Sequence, residues 1–371
     1  MEYQAAANVL FDLGRFPPGT GLEPTRELLG HLGDPHEGLT VVQVAGSNGK
    51  GSTSRMVERV LREAGLDVGL YTSPHLDDVR ERVQVNGRPV TKTRVVEFVE
   101  SCRAYLDGRA AANASPTFFE TMTALALWEF DRQDVDVAVL EVGIGGRYDA
   151  TSVCDPVASA VTSVTLEHAD LLGDTVAEIA HDKAHVAPAD APLVTATTGE
   201  ALDTVRATAG DVLRVGSDDE ADVVVEYGGR EGLEGLVDLE GPDWAVETRL
   251  PLLGSHQTRN AGVAATLCRQ VAAETGVEVT GAHLARGLRN AHWPGRFEVM
   301  ERDPLVVLDS AHNPGSAERL TETLASFEYD ALALVVGAMA DKDHAGMAAA
   351  FPHADRVYTC RPGMERAETT E

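Results

Sequence analysis

The chain has 371 residues and a mass of 39.5 kDa, which is enough for two domains with substantial hydrophobic cores. Hydrophobic residues make up 43% of it, but no apolar run reaches the roughly 20 residues that a membrane-spanning helix requires. The first residues also lack the basic stretch and apolar core of a secretory signal. These features exclude a membrane protein and predict a cytoplasmic globular protein.

The charge balance is strongly acidic, with 59 acidic against 31 basic residues and a formal net charge of -28 at pH 7. Such a surface repels nucleic acid, and it also repels itself unless salt screens it. Molar salt shortens the Debye length to about 3 Å, which provides that screening. The composition therefore predicts no nucleic-acid partner and a protein adapted to a high-salt cytoplasm.

Lysine is scarce and occurs only at Lys50, Lys92, Lys183 and Lys342, while arginine supplies the other basic residues. Arginine can replace lysine wherever only positive charge is needed. The retained lysines are therefore candidates for chemistry that needs an ammonium or amine group.

The cysteines are far apart and form no C-x-x-C pair. Neither a zinc site nor a disulfide framework is indicated by this spacing. We expect packed thiols at all four positions, which are Cys102, Cys154, Cys268 and Cys360.

In chain order, β-branched runs alternate with helical periods, which predicts an α/β fold with a mostly parallel sheet. The first unit is a strand at Thr40–Ala45, a glycine-rich loop and a helix in which apolar residues recur from Met56 to Ala64. An apolar helix from Thr117 to about Phe130 precedes strands at Val135–Leu140 and Val157–Ser163.

The stretch Ser217–Trp244 is rich in Asp, Glu and Gly, which predicts an antiparallel or peripheral excursion, and helical character returns after Ser255. A second α/β block follows, with strands near Leu305–Leu308, Ala331–Val336 and Arg356–Thr359. A hinge near Pro294–Gly295 divides the chain into predicted domains at residues 1–293 and 294–371.

The glycine-rich loop is the segment Gly46–Ser52, with the sequence GSNGKGS. It lies between a strand and a helix N-terminus, where free N–H groups and the helix dipole favour phosphate. The string is a compact variant of the phosphate-loop pattern, in which Lys50 would reach the β- and γ-phosphates and Ser52 would face Mg²⁺. A glycine-rich turn with a surface lysine is the structural alternative.

Polar residues follow several other strands, at the edge where ligands bind in α/β folds. Glu141 and His168 are candidate metal ligands, and Lys183 is a retained lysine on the next helix. Asp309 and His312 follow a strand of the second block, and Asp341-Lys342-Asp343 follows another. Taken singly, each could equally be a capping, solvated or structural group.

Segments in one order along the chain resemble the folylpolyglutamate synthase/dihydrofolate synthase family, which belongs to the Mur ligases. They are GSNGKGS, YTSPHL, RERVQVNG, PTFFE, EVGIGGRYDAT, TSVTLEHADLLGDT, EIAHDKA, LPLLGSHQTRN, WPGRFEV, LDSAHNP and ADKD. The resemblance extends from about Phe11 to Tyr358 and includes motifs in both predicted domains.

The resemblance implies an ATP-binding central domain joined to a smaller Rossmann-like domain, with the active site in the cleft between them. It also implies ATP-dependent amide formation, in which a folate or pteroate carboxylate is phosphorylated and the amine of L-glutamate then displaces phosphate. Some archaeal relatives are joined to a dihydropteroate synthase, so fusion to that enzyme or association with it is expected.

The family's nucleotide and metal residues match positions in this sequence one by one. Gly46, Asn48, Gly49, Lys50, Gly51 and Ser52 match the phosphate loop. The resemblance assigns Ser52, Ser73 and Glu141 to one Mg²⁺, and Glu141 and His168 to a second. It also implies that Lys183 carries a carbamate.

The remaining matches lie around the implied cleft. Asn260 and Arg296 match nucleotide contacts, and Asp309 and His312 match groups that handle nucleotide and glutamate. Phe118 and Phe119 resemble an aromatic pair near the pterin, although a buried helical core explains at least one of them equally well. Lys342 matches a lysine that is either structural or faces the cleft.

The sequence departs from the family pattern in three places. Lys183 leads into AHVAP without a later lysine, and Ser310 replaces a usual glycine. The family also has further βα units after the region of Tyr358, so the C-terminal domain is expected to be incomplete. Two alternatives remain: another Mur-type ligase, against which PTFFE and YTSPHL argue, and a nucleotide-binding domain without ligase turnover.

Overall fold

Helices and strands alternate along most of the chain in the computed structural model, which describes residues 1–13, 21–361, 363 and 367–368. The helices are α1 (Tyr3–Phe11), α2 (Glu23–His31), α3 (Lys50–Glu63), α4 (Lys92–Ala111), α5 (Phe118–Arg132), α6 (Ala169–Leu172), α7 (Val176–Lys183), α8 (Gly199–Ala209), α9 (His256–Thr275), α10 (Gly281–Arg289), α11 (Pro314–Leu324) and α12 (His344–Ala350). The strands are β1 (Val41–Ala45), β2 (Val68–Tyr71), β3 (Val83–Val85), β4 (Arg88–Pro89), β5 (Val137–Glu141), β6 (Ala158–Val161), β7 (Leu193–Thr195), β8 (Val212–Gly216), β9 (Val223–Glu231), β10 (Glu234–Glu240), β11 (Ala245–Leu250), β12 (Glu298–Arg302), β13 (Leu305–Leu308), β14 (Ala333–Val336) and β15 (Arg356–Thr359). The predicted α/β class is confirmed.

The first eleven strands form one sheet, in the order β11-β10-β9-β8-β7-β6-β1-β5-β2-β3-β4. Its centre is parallel: β1 lies between β5 and β6, and β2, β7 and β8 continue the parallel pairing outwards. Its edges are antiparallel, with β9, β10 and β11 at one end and β3 and β4 at the other. The antiparallel excursion predicted for Ser217–Trp244 is thus confirmed.

The central strands are buried along their whole length, as expected for parallel strands covered by helices on both faces. The one polar side chain inside β1 is Gln43, whose amide donates to the hydroxyls of Thr151 (2.8 Å) and Ser152 (2.9 Å). Because β1, β5 and β6 run in the same direction, the loops that follow Ala45, Glu141 and Val161 meet at one edge of the sheet.

Helices cover the two faces of the sheet as separate cores. Val137 and Val139 of β5 pack with α3, α9 and α10, whereas Ala138 and Leu140 pack with α1, α2, α4 and α5. This division follows from the two-residue alternation of a strand. The contact between α3 and α10 is close, because a Cβ on Gly287 would lie 2.4 Å from Cα of Val60.

Local sequence explains where the helices near this edge begin. Thr117 caps α5 and Thr175 caps α7, each in a capping box with a glutamate three residues later. Helix α3 begins directly after Gly49, whose φ of 90° lies in the left-handed region that glycine adopts without strain. Helix α7 ends at Lys183, which fixes the position of that lysine.

The chain after α10 forms two small pairs of strands with α11 and α12. β12 and β13 pair antiparallel, and β14 and β15 pair parallel. The charged strand β12 was not predicted, while β13, β14 and β15 match the predicted strands. Leu253, Phe297 and Leu324 form a small core that joins this part to the rest of the chain. The domain boundary at 293/294 remains a prediction.

The expectation of four packed thiols is wrong for one residue. Cys102, Cys154 and Cys268 are buried, but Cys360 is exposed because it follows β15, whose residues are all exposed. In the part of the chain that the structure describes, no helix combines the length and apolar character needed to cross a membrane.

Candidate active site

A cleft with a volume of about 440 Å³ lies at the carboxyl ends of the central strands. One wall comes from the loops of the large sheet, and the other comes from the segment that begins at Arg296. Most of the residues predicted from sequence line this one cleft: Asn48, Gly49, Lys50, Gly51, Ser52, Ser73, Glu141, His168, Asn260, Arg296, Asp309 and His312.

The glycine-rich loop forms hydrogen bonds with the loop that follows β6. The N–H of Asn48 donates to Oγ of Ser163 (2.9 Å), and the carbonyl of Asn48 accepts from Oγ1 of Thr162 (2.7 Å). A Cβ on Gly46, whose φ is 141°, would lie 2.0 Å from that same Thr162 oxygen. The loop therefore needs glycine at position 46 for space as well as for backbone conformation.

Lys50 is the first residue of α3 and lies over the glycine-rich loop. Its Nζ donates to the carbonyl oxygens of Gly46 (2.8 Å) and Ser47 (3.3 Å). The ammonium is therefore at the helix N-terminus, close to the free N–H groups that would receive an anion.

Glu141 ends β5 and places a buried carboxylate beside the glycine-rich loop. Its Oε2 accepts from the N–H of Ser73 (2.9 Å), and its Oε1 is 3.5 Å from the point where a Cβ on Gly51 would lie. Burial raises the pKa of Glu141, while the positive charges of Lys50 and Arg296 act in the opposite direction. A cation bound here would offset the cost of burying this carboxylate.

Lys183 is among the most deeply buried charged groups, with 2% of it exposed. Its Nζ is 3.5 Å from Oε1 of Glu167. Burial, with the nearby charge of Lys50, lowers the pKa of Lys183 to about 8. Burial would raise the pKa of Glu167, but Lys183, Lys50 and a hydrogen bond with Ser47 outweigh it, so that pKa lies below its usual range.

His168 follows Glu167 and has a φ of 51°, in the left-handed region. Partial burial and the charges of Lys342, Lys183 and Lys50 lower the pKa of His168, against the opposite effect of Glu167. The imidazole is thereby favoured in its neutral form, which is the form that binds metal ions.

The opposite wall presents a carboxylate and an imidazole that the local backbone holds in place. Asp309 accepts from the N–H groups of Phe297 (2.7 Å) and Ala311 (2.8 Å), and burial raises its pKa. Nδ1 of His312 lies 3.0 Å from the carbonyl of Ser310, and burial with nearby cationic groups lowers the pKa of His312.

The two walls also touch directly. Nδ2 of Asn313, at the start of α11, donates to Oδ1 of Asn48 in the glycine-rich loop (3.1 Å). Asn260 of α9 lies against the same loop, since a Cβ on Gly49 would be 2.5 Å from its Oδ1. These contacts bring groups more than two hundred residues apart into one site.

Comparison with known proteins agrees with this arrangement. Residues 44–268 match the Mur ligase middle domain, and residues 295–371 match the glutamate ligase domain of Mur ligases. A folylpolyglutamate synthase from Lacticaseibacillus casei is 36% identical over 351 residues, which is 92% of this chain and 81% of that protein. The chain belongs to the folylpolyglutamate synthase family of Mur ligases.

Two further relatives show how much of each protein matches this chain. A probable bifunctional folylpolyglutamate synthase/dihydropteroate synthase from Halobacterium salinarum is 60% identical over 374 residues, covering 100% of this chain but 45% of that protein. The chain thus spans about half the length of that relative. A solved complex of a folylpolyglutamate synthase with AMPPCP and folate superposes with a TM-score of 0.90 at 34% identity, covering 98% of this chain and 90% of that one.

Four of the predicted site residues do not line the cleft, but lie behind the residues that do. Gly46 packs against Thr162 at the start of the loop, and Lys183 contacts Glu167, which lines the cleft. Phe118 is buried and stacks on Phe11, with ring centroids 5.6 Å apart. Phe119 backs the cleft, because a Cβ on Gly143 would lie 2.6 Å from its ring.

Several groups to which the family resemblance assigns no role also line the cleft: Glu167, His256, Gln257 and Arg319. Nδ1 of His256 is buried and has no hydrogen-bond partner among the described residues. Burial and the charges of Arg319, Arg259 and Arg296 lower the pKa of His256 to about 4. The segments TLEH and SHQTRN contain three of these residues, although the resemblance assigns a role to only one residue in each, His168 and Asn260.

Proposed function

We propose that this chain catalyses ATP-dependent addition of L-glutamate to dihydropteroate, to reduced folates, or to both. The observation that carries the proposal is one cleft with the glycine-rich loop and Glu141 on one wall and Arg296, Asp309 and His312 on the other. Phosphoryl transfer to a carboxylate brings several anions together, so it needs positioned cations and backbone N–H groups. The family membership supports the same reaction.

In this proposal the glycine-rich loop holds the phosphates of ATP. Lys50 moves from the carbonyls of Gly46 and Ser47 to the β- and γ-phosphates, and Arg296 neutralises charge from the opposite wall. Asn260 contacts the nucleotide beside Gly49. The substrate carboxylate attacks the γ-phosphorus and ADP leaves; the amine of glutamate then attacks the acyl phosphate, and inorganic phosphate and a proton are released.

Mg²⁺ is the divalent ion that fits these residues. Within the described residues, no group of three or more His, Cys, Asp or Glu side chains is arranged to hold a metal ion alone. The proposed donors are instead Glu141, His168 and the hydroxyls of Ser52 and Ser73, which phosphate oxygens would complete. The buried carboxylate of Glu141, which lines the cleft, supports this assignment. When bound, the ion would offset charge on the phosphates.

We also propose that Lys183 carries a carbamate, which would turn a buried cation into an anion near the metal donors. Carbon dioxide adds only to a neutral amine. With a pKa of about 8, about a quarter of Lys183 is neutral at pH 7.5, compared with about one in a thousand at the ordinary value of 10.5. Carbon-13 NMR in labelled bicarbonate should show one carbamate signal, absent from K183R.

Dihydropteroate is one of the proposed acceptors because of a relative that matches the whole of this chain. The Halobacterium protein is named for a synthase that makes dihydropteroate and for a ligase of the present type. A ligase that accepts dihydropteroate would use the product of that synthase directly. We propose that this chain acts together with a dihydropteroate synthase, either fused to it or associated with it.

The test is phosphate release in molar KCl with MgATP, dihydropteroate and L-glutamate, omitting each in turn and repeating with K50A. The expected result is release that needs both substrates, a product one glutamyl unit heavier, and loss of turnover in K50A. Activity with tetrahydrofolate but not dihydropteroate would identify a polyglutamate synthase only. ATP binding without turnover of either acceptor would contradict the proposal and favour a nucleotide-binding domain.

A further inference from the structure

Trp293 connects the phosphate side of the cleft to the start of the C-terminal segment. Its indole Nε1 lies 3.0 Å from the point where a Cβ on Gly51 would be, so the ring packs directly on the glycine-rich loop. The guanidinium of Arg55, one turn further along α3, lies 5.0 Å from the centre of the Trp293 ring. This distance is within the range of a cation–π contact.

Arg55 is itself fixed by several buried groups. Its Nη1 donates to Oε2 of Glu58 (3.0 Å) and its Nη2 donates to Oε1 of Gln84 on β3 (2.6 Å). Glu58 is fully buried and also accepts from Arg62 (3.0 Å). Burial lowers the pKa of Arg55, which agrees with a desolvated guanidinium. Because these partners fix the plane of its guanidinium group, Arg55 presents a rigid flat surface to the Trp293 ring.

The residues that follow Trp293 hold the opposite wall of the cleft. The carbonyl of Gly295 accepts from both the N–H (3.0 Å) and the hydroxyl (2.8 Å) of Ser310, which is next to Asp309. Arg296 follows directly and lines the cleft. Leu76 also packs here, 3.6 Å from the point where a Cβ on Gly295 would be.

We propose that the stack of Trp293 on Arg55 is a positioning contact that sets the orientation of Arg296 and Asp309 relative to the glycine-rich loop. Trp293 is anchored to α3, while Gly295, two residues later, is anchored to Ser310. The two anchored residues are only two positions apart, and each residue spans at most about 3.6 Å. A shift of the backbone at Trp293 is therefore passed on to Gly295. Movement of the indole therefore moves the opposite wall.

A kinetic signature follows, which rests on the proposed ligase function. We expect the glycine-rich loop to supply most of the affinity for the nucleotide. Turnover additionally needs the two walls of the cleft in their correct relative positions. We expect W293L to lower kcat by about tenfold or more, because small misplacements of reacting groups are costly, and to change KM for MgATP by less than about threefold. W293F keeps an aromatic face and should recover part of kcat.

A double variant tests whether the two residues act as one unit. R55K keeps a cation beside Glu58 but removes the planar guanidinium from the indole. R55K/W293L should lose no more kcat than W293L alone, because residues that act through one contact are not additive. The matched control is R132K, since Arg132 stacks on Trp128 at 4.7 Å in α5 and Trp128 does not line the cleft; its kcat should equal that of the wild type.

A distance measurement keeps the inference testable even if the ligase proposal fails. Spin labels on E274C and E328C, with C360S removing the exposed thiol, report the separation of α9 from the C-terminal segment. W293L should broaden the distance distribution, whereas R132K should leave it unchanged. Equal distributions in W293L and the wild type, or additive losses of kcat, would overturn the inference. Absence of wild-type turnover with a broadened W293L distribution would contradict only the proposed function.

Discussion

Replacing Lys183 by methionine should change how the free energy of unfolding depends on pH. The size of the change follows from how far burial lowers the pKa of Lys183. Lys183 has 2% of its surface exposed, and burial lowers its pKa from 10.5 to about 8. A shift of this size corresponds to about 3 kcal/mol of unfolding free energy. In the wild type that cost is present below pH 8, where the ammonium is protonated in both states.

The sign follows from proton binding. Between pH 8 and 10.5 the native state holds fewer protons at Lys183 than the unfolded chain, so this group makes the wild type more stable as pH rises. Methionine cannot titrate and lacks this contribution. The stability of K183M relative to the wild type should therefore fall by about 3 kcal/mol across that window.

The measurement is the free energy of unfolding by urea at several pH values, in molar KCl and in buffer freed of carbon dioxide. K92M removes a lysine whose side chain is exposed and serves as the matched control. A stability difference between K183M and the wild type that stays constant from pH 8 to pH 10.5 would show that Lys183 is not desolvated as the structure indicates.

Three further changes test other parts of the site. G46A should abolish nucleotide binding, measured by calorimetry, because its Cβ would lie 2.0 Å from Oγ1 of Thr162; near-native affinity would contradict the packing of the loop. E141Q should eliminate turnover but keep or raise the free energy of unfolding in metal-free buffer, because burial raises the pKa of Glu141; strong destabilisation would argue against a metal role. With a net charge of -28, the protein should lose cooperative unfolding, followed by circular dichroism, as KCl falls below molar concentration; full stability in dilute buffer would refute salt adaptation.

Features with local causes could be predicted from the order of the amino acids. The parallel α/β class follows from short apolar runs that alternate with helical periods. The glycine-rich loop is contiguous, so Gly46–Ser52 could be read as a candidate phosphate site directly. The family motifs then added residues in both predicted domains, because each motif is itself a local string.

Which of these groups meet, and how deeply each is buried, depends on how the whole chain packs. Glu167 became part of the site because the fold packs it 3.5 Å from Lys183, and the lowered pKa of that lysine exists only once the amine is desolvated. The stack of Trp293 on Arg55 joins residues that no local pattern relates. Contacts of this kind depend on how loops from different strands converge, and burial is a property of the whole packed chain, so neither could be obtained from the order of residues alone.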